Sequence, residues 1–110
     1  MSEHARRLGY NEAVFRSVNE RLEDLNEAFQ MVTDRFEIVC ECGSTTCVER
    51  ISISGEEYHE LRADPSAFAM IAGHDDPAVE QIVERRGDYN RVRKRPGEPE
   101  TIAEGADPRG

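Results

Sequence analysis

All three cysteines of this 110-residue chain fall within eight positions, Cys40-Glu41-Cys42-Gly43-Ser44-Thr45-Thr46-Cys47, in the spacing C-x-C-x4-C. Few folds can use such a knuckle. A borderline-soft ion such as Zn²⁺ prefers thiolate and imidazole ligands and takes four of them in a tetrahedron. Three sulfurs this close in sequence converge only if the chain turns sharply between them. Gly43 supplies positive φ without steric cost, and Ser44, Thr45 and Thr46 can hydrogen-bond back into the turn. Backbone N–H groups freed by the turn can donate to the sulfurs and offset their negative charge.

A fourth ligand has to come from elsewhere, and three histidines are available: His4, His59 and His74. His74 lies in Gly73-His74-Asp75-Asp76-Pro77, a loop after an apolar run, and is the first choice. His59 falls inside an expected helix and His4 in an N-terminal tail. Asp75 or Asp76 would serve as oxygen ligands, a poorer match for a thiolate-rich site. The odd cysteine count argues against a structural disulfide framework. Three of three cysteines in one knuckle is also a poor pattern for thiols used only as core filler. A redox-active thiol cluster stays open as the alternative to a metal.

Two resemblances rest on these residues. The pattern Cys40-x-Cys42-Gly43-x3-Cys47 resembles the post-SET knuckle of histone lysine methyltransferases, whose cysteines share a zinc with a fourth from the catalytic domain. Only the ligand role is implied for Cys40, Cys42 and Cys47, because no other part of the chain resembles that domain. More broadly, residues 10–95 are similar to small actinobacterial proteins of unassigned activity. The shared features are a helix like Asn11-Glu12-Ala13-Val14-Phe15 through Val18-Asn19-Glu20-Arg21, a Cys40-Glu41-Cys42-Gly43 knuckle and a Gly73-His74-x-Asp76-Pro77 loop. That likeness implies one site for Cys40, Cys42, Cys47 and His74.

Around the knuckle the patterning predicts an α+β fold. Phe15, Val18, Leu22, Leu25, Phe29 and Val32 recur at steps of three and four, which predicts an amphipathic helix over about Asn11–Thr33 with these residues inward. Arg16, Asn19, Glu20, Arg21, Glu23, Asp24, Asn26 and Glu27 would form its solvated face, and Asn11-Glu12 suits its start. The stripe also permits a two-stranded coiled coil, although a helix lying on its own sheet is preferred. Phe36–Cys40 reads as a strand into the knuckle and Val48–Ile53 as the returning strand, so the metal would sit at a hairpin tip. Ser54-Gly55-Glu56-Glu57 forms a capping box for a short helix ending before Asp64-Pro65. Ala67–Ala72 reads as a buried strand delivering His74. Between 77 and 95 a two-turn helix competes with a hairpin; the hairpin is preferred because Tyr89–Arg93 alternates and needs a partner.

Residues 1–10 are expected to be a flexible tail, 11–95 a single zinc-binding domain and 96–110, rich in Pro, Gly, Glu and Asp, a disordered tail. One small domain with 37% apolar residues and no Trp has a thin core, which a metal staple would reinforce. The net charge of −9 disfavours nucleic acid or anionic membrane as default partners. With no bilayer-length apolar run and no signal-peptide h-region, a cytoplasmic protein is expected.

The exception to the acidic balance is Arg85, Arg86, Arg91, Arg93, Lys94 and Arg95, six cations around Asp88. Arg91, Arg93 and Lys94 are thus candidate contacts for nucleic acid or another anionic partner, but only Tyr89 is there for base stacking. The preferred explanation is a hairpin whose cations meet acidic groups of the same molecule. Phosphate loops, nucleophile elbows and H-E-x-x-H motifs are missing. The expectation is a structural zinc held by Cys40, Cys42, Cys47 and His74. Four protein ligands leave no open position for metal-bound water, so the module would bind a protein partner or itself rather than catalyse.

Overall fold

A computed structural model of the chain describes residues 2–28 and 35–109. It is α+β: a long helix α1 (Glu3–Ala28), strands β1 (Arg35–Val39) and β2 (Arg50–Ser54), helix α2 (Gly55–Arg62), strands β3 (Ala67–Met70), β4 (Glu80–Arg85) and β5 (Asn90–Lys94), and helix α3 (Glu98–Gly105). The strands form two small antiparallel sheets, β1-β2 and β3-β5-β4. Residues 77–95 therefore adopt the hairpin, with Gly87 at φ +85° in its turn. The core between the sheets and α2 contains Ile38, Ile51, Ile53, Tyr58, Leu61, Phe68, Met70 and Val92, and Cys40 and Cys42 belong to the same cluster. Ser54 caps α2 as expected, accepting from the Glu57 N–H, while the Glu57 carboxylate accepts from Ser54 Oγ and Tyr89 Oη.

Both ends of the chain depart from the expectation. The first turn of α1 begins at Glu3 rather than Asn11, capped by Ser2, whose Oγ accepts from the Ala5 N–H. Glu98–Gly105 forms α3 where a disordered tail was expected. Its composition hides the reason. Ala5, Gly9 and Ala13 are small and buried at helical spacing on α1, which lets α3 approach so closely that Ile102 side-chain carbons lie 3.6–3.7 Å from the position of a Cβ at Gly9. Arg6 pairs with Glu98 at 2.7 Å across this contact. Beyond it, Arg109 reaches Glu20 at 2.5 Å.

The larger correction concerns which face of α1 is buried. Val18 and Leu25, expected inward, are exposed, and Phe15 and Leu22 are only half-buried. Phe29 and Val32 lie outside the described residues. Arg16, Asn19 and Glu23, expected in solvent, are instead buried with Glu12. Each finds a partner inside. Arg16 donates to the Pro65 and Ala103 carbonyls at 2.6 and 2.8 Å and lies over the Phe68 ring. Asn19 both donates to the Val39 carbonyl and accepts from its N–H. Glu23 pairs with His59 at 2.9 Å. Glu12 pairs with Lys94, which also contacts Glu80 at 2.6 Å, Glu80 and Lys94 being cross-strand neighbours. Burial pushes the Glu80 carboxyl up to about 7 and the Lys94 ammonium down to about 7. Polar side chains can occupy a buried stripe when each has a partner there, and these fix the helix in one orientation although Arg16 Nε is left without a hydrogen bond.

Candidate metal centre

Cys40 continues β1, its N–H bonded to the Glu49 carbonyl at 3.1 Å, so the knuckle begins as an extension of the β1-β2 hairpin. The next residue changes partner. The Glu41 N–H donates to the Ala69 carbonyl at 2.9 Å, which couples the knuckle to β3 and hence to the second sheet. Gly43 then turns the chain at φ +76°, and the Cys47 N–H closes the loop on the Ser44 carbonyl at 3.2 Å. Ser44 Oγ and Thr46 Oγ1 are 3.0 Å apart inside it. From the other side, the chain leaves β3 through Ile71 and Gly73 and turns at His74, whose N–H donates to the Ile71 carbonyl at 3.0 Å.

These paths bring Cys40, Cys42, Cys47 and His74 together, with their ligand atoms all within 4.8 Å of one another. His74 Nδ1 lies 3.5 Å from Cys40 Sγ and 3.6 Å from Cys47 Sγ. Metal–sulfur bonds of about 2.3 Å and a metal–nitrogen bond of about 2.0–2.1 Å at tetrahedral angles place sulfur and nitrogen about 3.6 Å apart. These two separations match a tetrahedral edge, and the four side chains form a group that could hold a metal ion. Burial pushes the Cys40 and Cys42 thiols up, and the Cys47 sulfur adds to both shifts. The Ile71 N–H, 3.2 Å from Cys40 Sγ, and the Ser44 backbone at Cys42 work against it. A divalent cation is the counter-charge that would let three such sulfurs ionise together.

The other candidate ligands are elsewhere. His59, on α2, is engaged with Glu23, and His4 is exposed near the start of α1. Asp76 turns its carboxylate onto the Ala78 N–H at 2.9 Å. Cys47 is half-buried where Cys40 and Cys42 are buried, and a cleft of about 470 Å³ lined by Leu8, Cys42, Thr46, Cys47, Val48 and His74 opens beside it.

The support beneath the knuckle was not visible in the spacing. Glu41, between two of the cysteines, is fully buried. Its carboxylate accepts two bonds from the Arg62 guanidinium at 2.7 and 3.0 Å, one from Asn19 at 2.7 Å and one from the Ala69 N–H at 3.0 Å. One side chain so binds the knuckle to α1, α2 and β3. The available signal was a charged residue placed between two cysteines of a knuckle, a position where solvation alone would be unremarkable.

Gly43 carries a second constraint besides its φ. A Cβ there would lie 2.8 Å from Glu12 Cγ and 3.1 Å from the Glu12 backbone nitrogen. Gly87 has a similar φ of +85° with open space around it. Gly87→Ala is expected to cost about 1–2 kcal/mol, the backbone term alone, and Gly43→Ala about 1–2 kcal/mol more than that, because α1 must shift. Urea unfolding of the two variants side by side measures the difference, and equal losses would show that α1 does not press on the knuckle.

Of the candidate contacts for an anionic partner, Lys94 is buried in its ion pairs. Arg93 pairs with Asp64 at 3.1 Å, and Arg86 contacts Glu57, Glu60 and Glu84. Lys94, Arg93 and Arg86 thus meet acidic groups of the same molecule, while Arg91 and Arg95 donate to the Glu60 and Pro77 backbone carbonyls. Among the described residues no helix is long and apolar enough to cross a membrane. No protein-family model, curated protein or solved structure matches the chain.

Proposed function

We propose that Cys40, Cys42, Cys47 and His74 hold one structural zinc ion, and that the domain it secures is a small binding or regulatory module. The observation that carries this is the donor group itself: three sulfurs and one imidazole nitrogen within 4.8 Å, with sulfur–nitrogen separations of 3.5 and 3.6 Å. Zinc suits the set better than calcium or magnesium, which select oxygen ligands. Four protein ligands complete its coordination, so its contribution is to join the β1-β2 hairpin to the loop after β3 rather than to activate water. The likeness of the knuckle to the post-SET motif supports the same three sulfur ligands.

Anaerobic reconstitution with Co²⁺ tests this. One equivalent should bind with the intense visible bands of a tetrahedral thiolate site, be displaced by Zn²⁺, and give weaker, altered bands in His74→Ala. Failure to bind either ion, or an unchanged spectrum in the His74 variant, would overturn the assignment.

The half-exposure of Cys47 beside the cleft favours a second reading, a redox-responsive centre. In it, two thiolates give two electrons to a peroxide, form one disulfide bond and, with two protons taken up, leave water and a free metal ion. Zinc release that follows added peroxide stoichiometrically, and reverses with a thiol reductant, distinguishes this from an inert centre.

A further inference from the structure

The inward rotation of the polar stripe leaves α1 with an outer face that has no partner among the described residues. Glu3, Arg7, Tyr10, Val14, Ser17, Arg21 and Asp24 are all exposed, and they recur at strictly alternating steps of four and three. Tyr10 and Val14 are 56% and 58% exposed at its centre, with Val18 and Leu25, 41% and 59% exposed, along its flank. This is the 3.5-residue period of a two-helix seam, on a different set of residues from the stripe that hydropathy alone picks out.

The charges choose the occupant. Paired in parallel and in register, two copies would set Arg7 against Arg7, Arg21 against Arg21 and Asp24 against Asp24. Paired antiparallel, every position of the seam between residues 3 and 21 meets another seam position. Glu3 then faces the partner's Arg21, Arg7 the partner's Ser17, and Tyr10 the partner's Val14, with each contact made twice about the two-fold axis. No like charges are opposed. Between Tyr10, Ala13, Val14, Ser17 and Ala106 there is a hollow of about 240 Å³, left by three small side chains beside a helix cap. It lies where this register brings the partner's Tyr10 ring, a knob meeting a hole. Glu3 already touches Arg6 and Arg7 at its own helix start, but these are exposed pairs that exchange at little cost.

We propose that α1 pairs with a second copy of this chain through this outer face, antiparallel and centred on Tyr10 and Val14. The proposal does not depend on which ion fills the knuckle, since no seam residue is a ligand. A contact built on two short apolar layers belongs to the weak class of interface, so the dimer should dissociate in the range of about 1–100 μM.

Sedimentation equilibrium of the full, metal-loaded chain over about 1–500 μM tests it. The mass should rise from monomer towards dimer. Val14→Glu, an exposed substitution, should weaken association at least about tenfold without changing the circular dichroism spectrum. Arg21→Glu should weaken it about fivefold, since two exposed ion pairs become two repulsions. Adding Glu3→Arg to Arg21→Glu should restore most of that loss, which only an antiparallel register predicts. A monomer at every concentration overturns the proposal and leaves the face to a different protein. A dimer indifferent to Val14→Glu, or one the reversed charges fail to rescue, overturns it equally.

Discussion

Cys42→Ser should lose at least about 3 kcal/mol of unfolding free energy, out of a total that for a domain of this size is about 5–15 kcal/mol. Magnitude separates the two explanations of why the residue is there. If Cys42 were merely a small buried side chain, exchanging sulfur for oxygen would leave a poorly satisfied hydroxyl in the core and cost about 1–2 kcal/mol. As a zinc ligand it also removes one of four bonds from a site whose assembly is part of folding, and structural zinc contributes on the order of 10 kcal/mol in the smallest domains. Urea unfolding with and without a strong chelator distinguishes the cases. Chelation should carry the wild type most of the way to the variant's midpoint and leave the variant nearly unmoved. A chelator that shifts neither curve would assign Cys42 to packing alone.

Arg62→Met should cost about 3–5 kcal/mol at neutral pH, the loss expected when one partner of a buried ion pair is removed and the other charge stays behind. Glu41 would retain only Asn19 and the Ala69 N–H as donors. The penalty comes from a carboxylate left buried with half of its donors removed. Arg62→Met combined with Glu41→Gln should recover much of the loss, because no unpaired charge remains. The single variant should also bind zinc at least about tenfold more weakly, since Glu41 fixes the backbone between two ligands. An Arg62→Met loss below about 1 kcal/mol would show that the network does not support the knuckle.

Residue type and spacing made the candidate metal site legible because its geometry is local: three cysteines need one turn to converge, and Gly43 provides it. His74 could be named because it follows the buried run Ala67–Met70, which had to end near whatever it delivered. The β-elements were readable for a similar reason, since alternation at Ile51–Ile53 and Tyr89–Arg93 has one simple structural meaning. The orientation of α1 was not readable. Its apolar stripe and its polar stripe have the same helical period, so periodicity establishes the helix without saying which face turns inward. That depended on complements distant in sequence: Lys94 for Glu12, the Pro65 and Ala103 carbonyls for Arg16, the Val39 backbone and Glu41 for Asn19. Helix α3 was missed because its packing rests on the absence of side-chain bulk at Ala5, Gly9 and Ala13, which no feature of residues 98–105 announces. Both misreadings concern contacts of the same helix, and they put Val18 and Leu25 on the surface rather than in the core.

X-ray absorption at the zinc edge, on protein purified without added metal or affinity tag, tests the central claim most directly. One zinc per chain in a first shell of three sulfurs at about 2.3 Å and one nitrogen at about 2.0 Å is the predicted result. An oxygen-dominated shell, or sulfurs found free or cross-linked with no zinc bound, would contradict it.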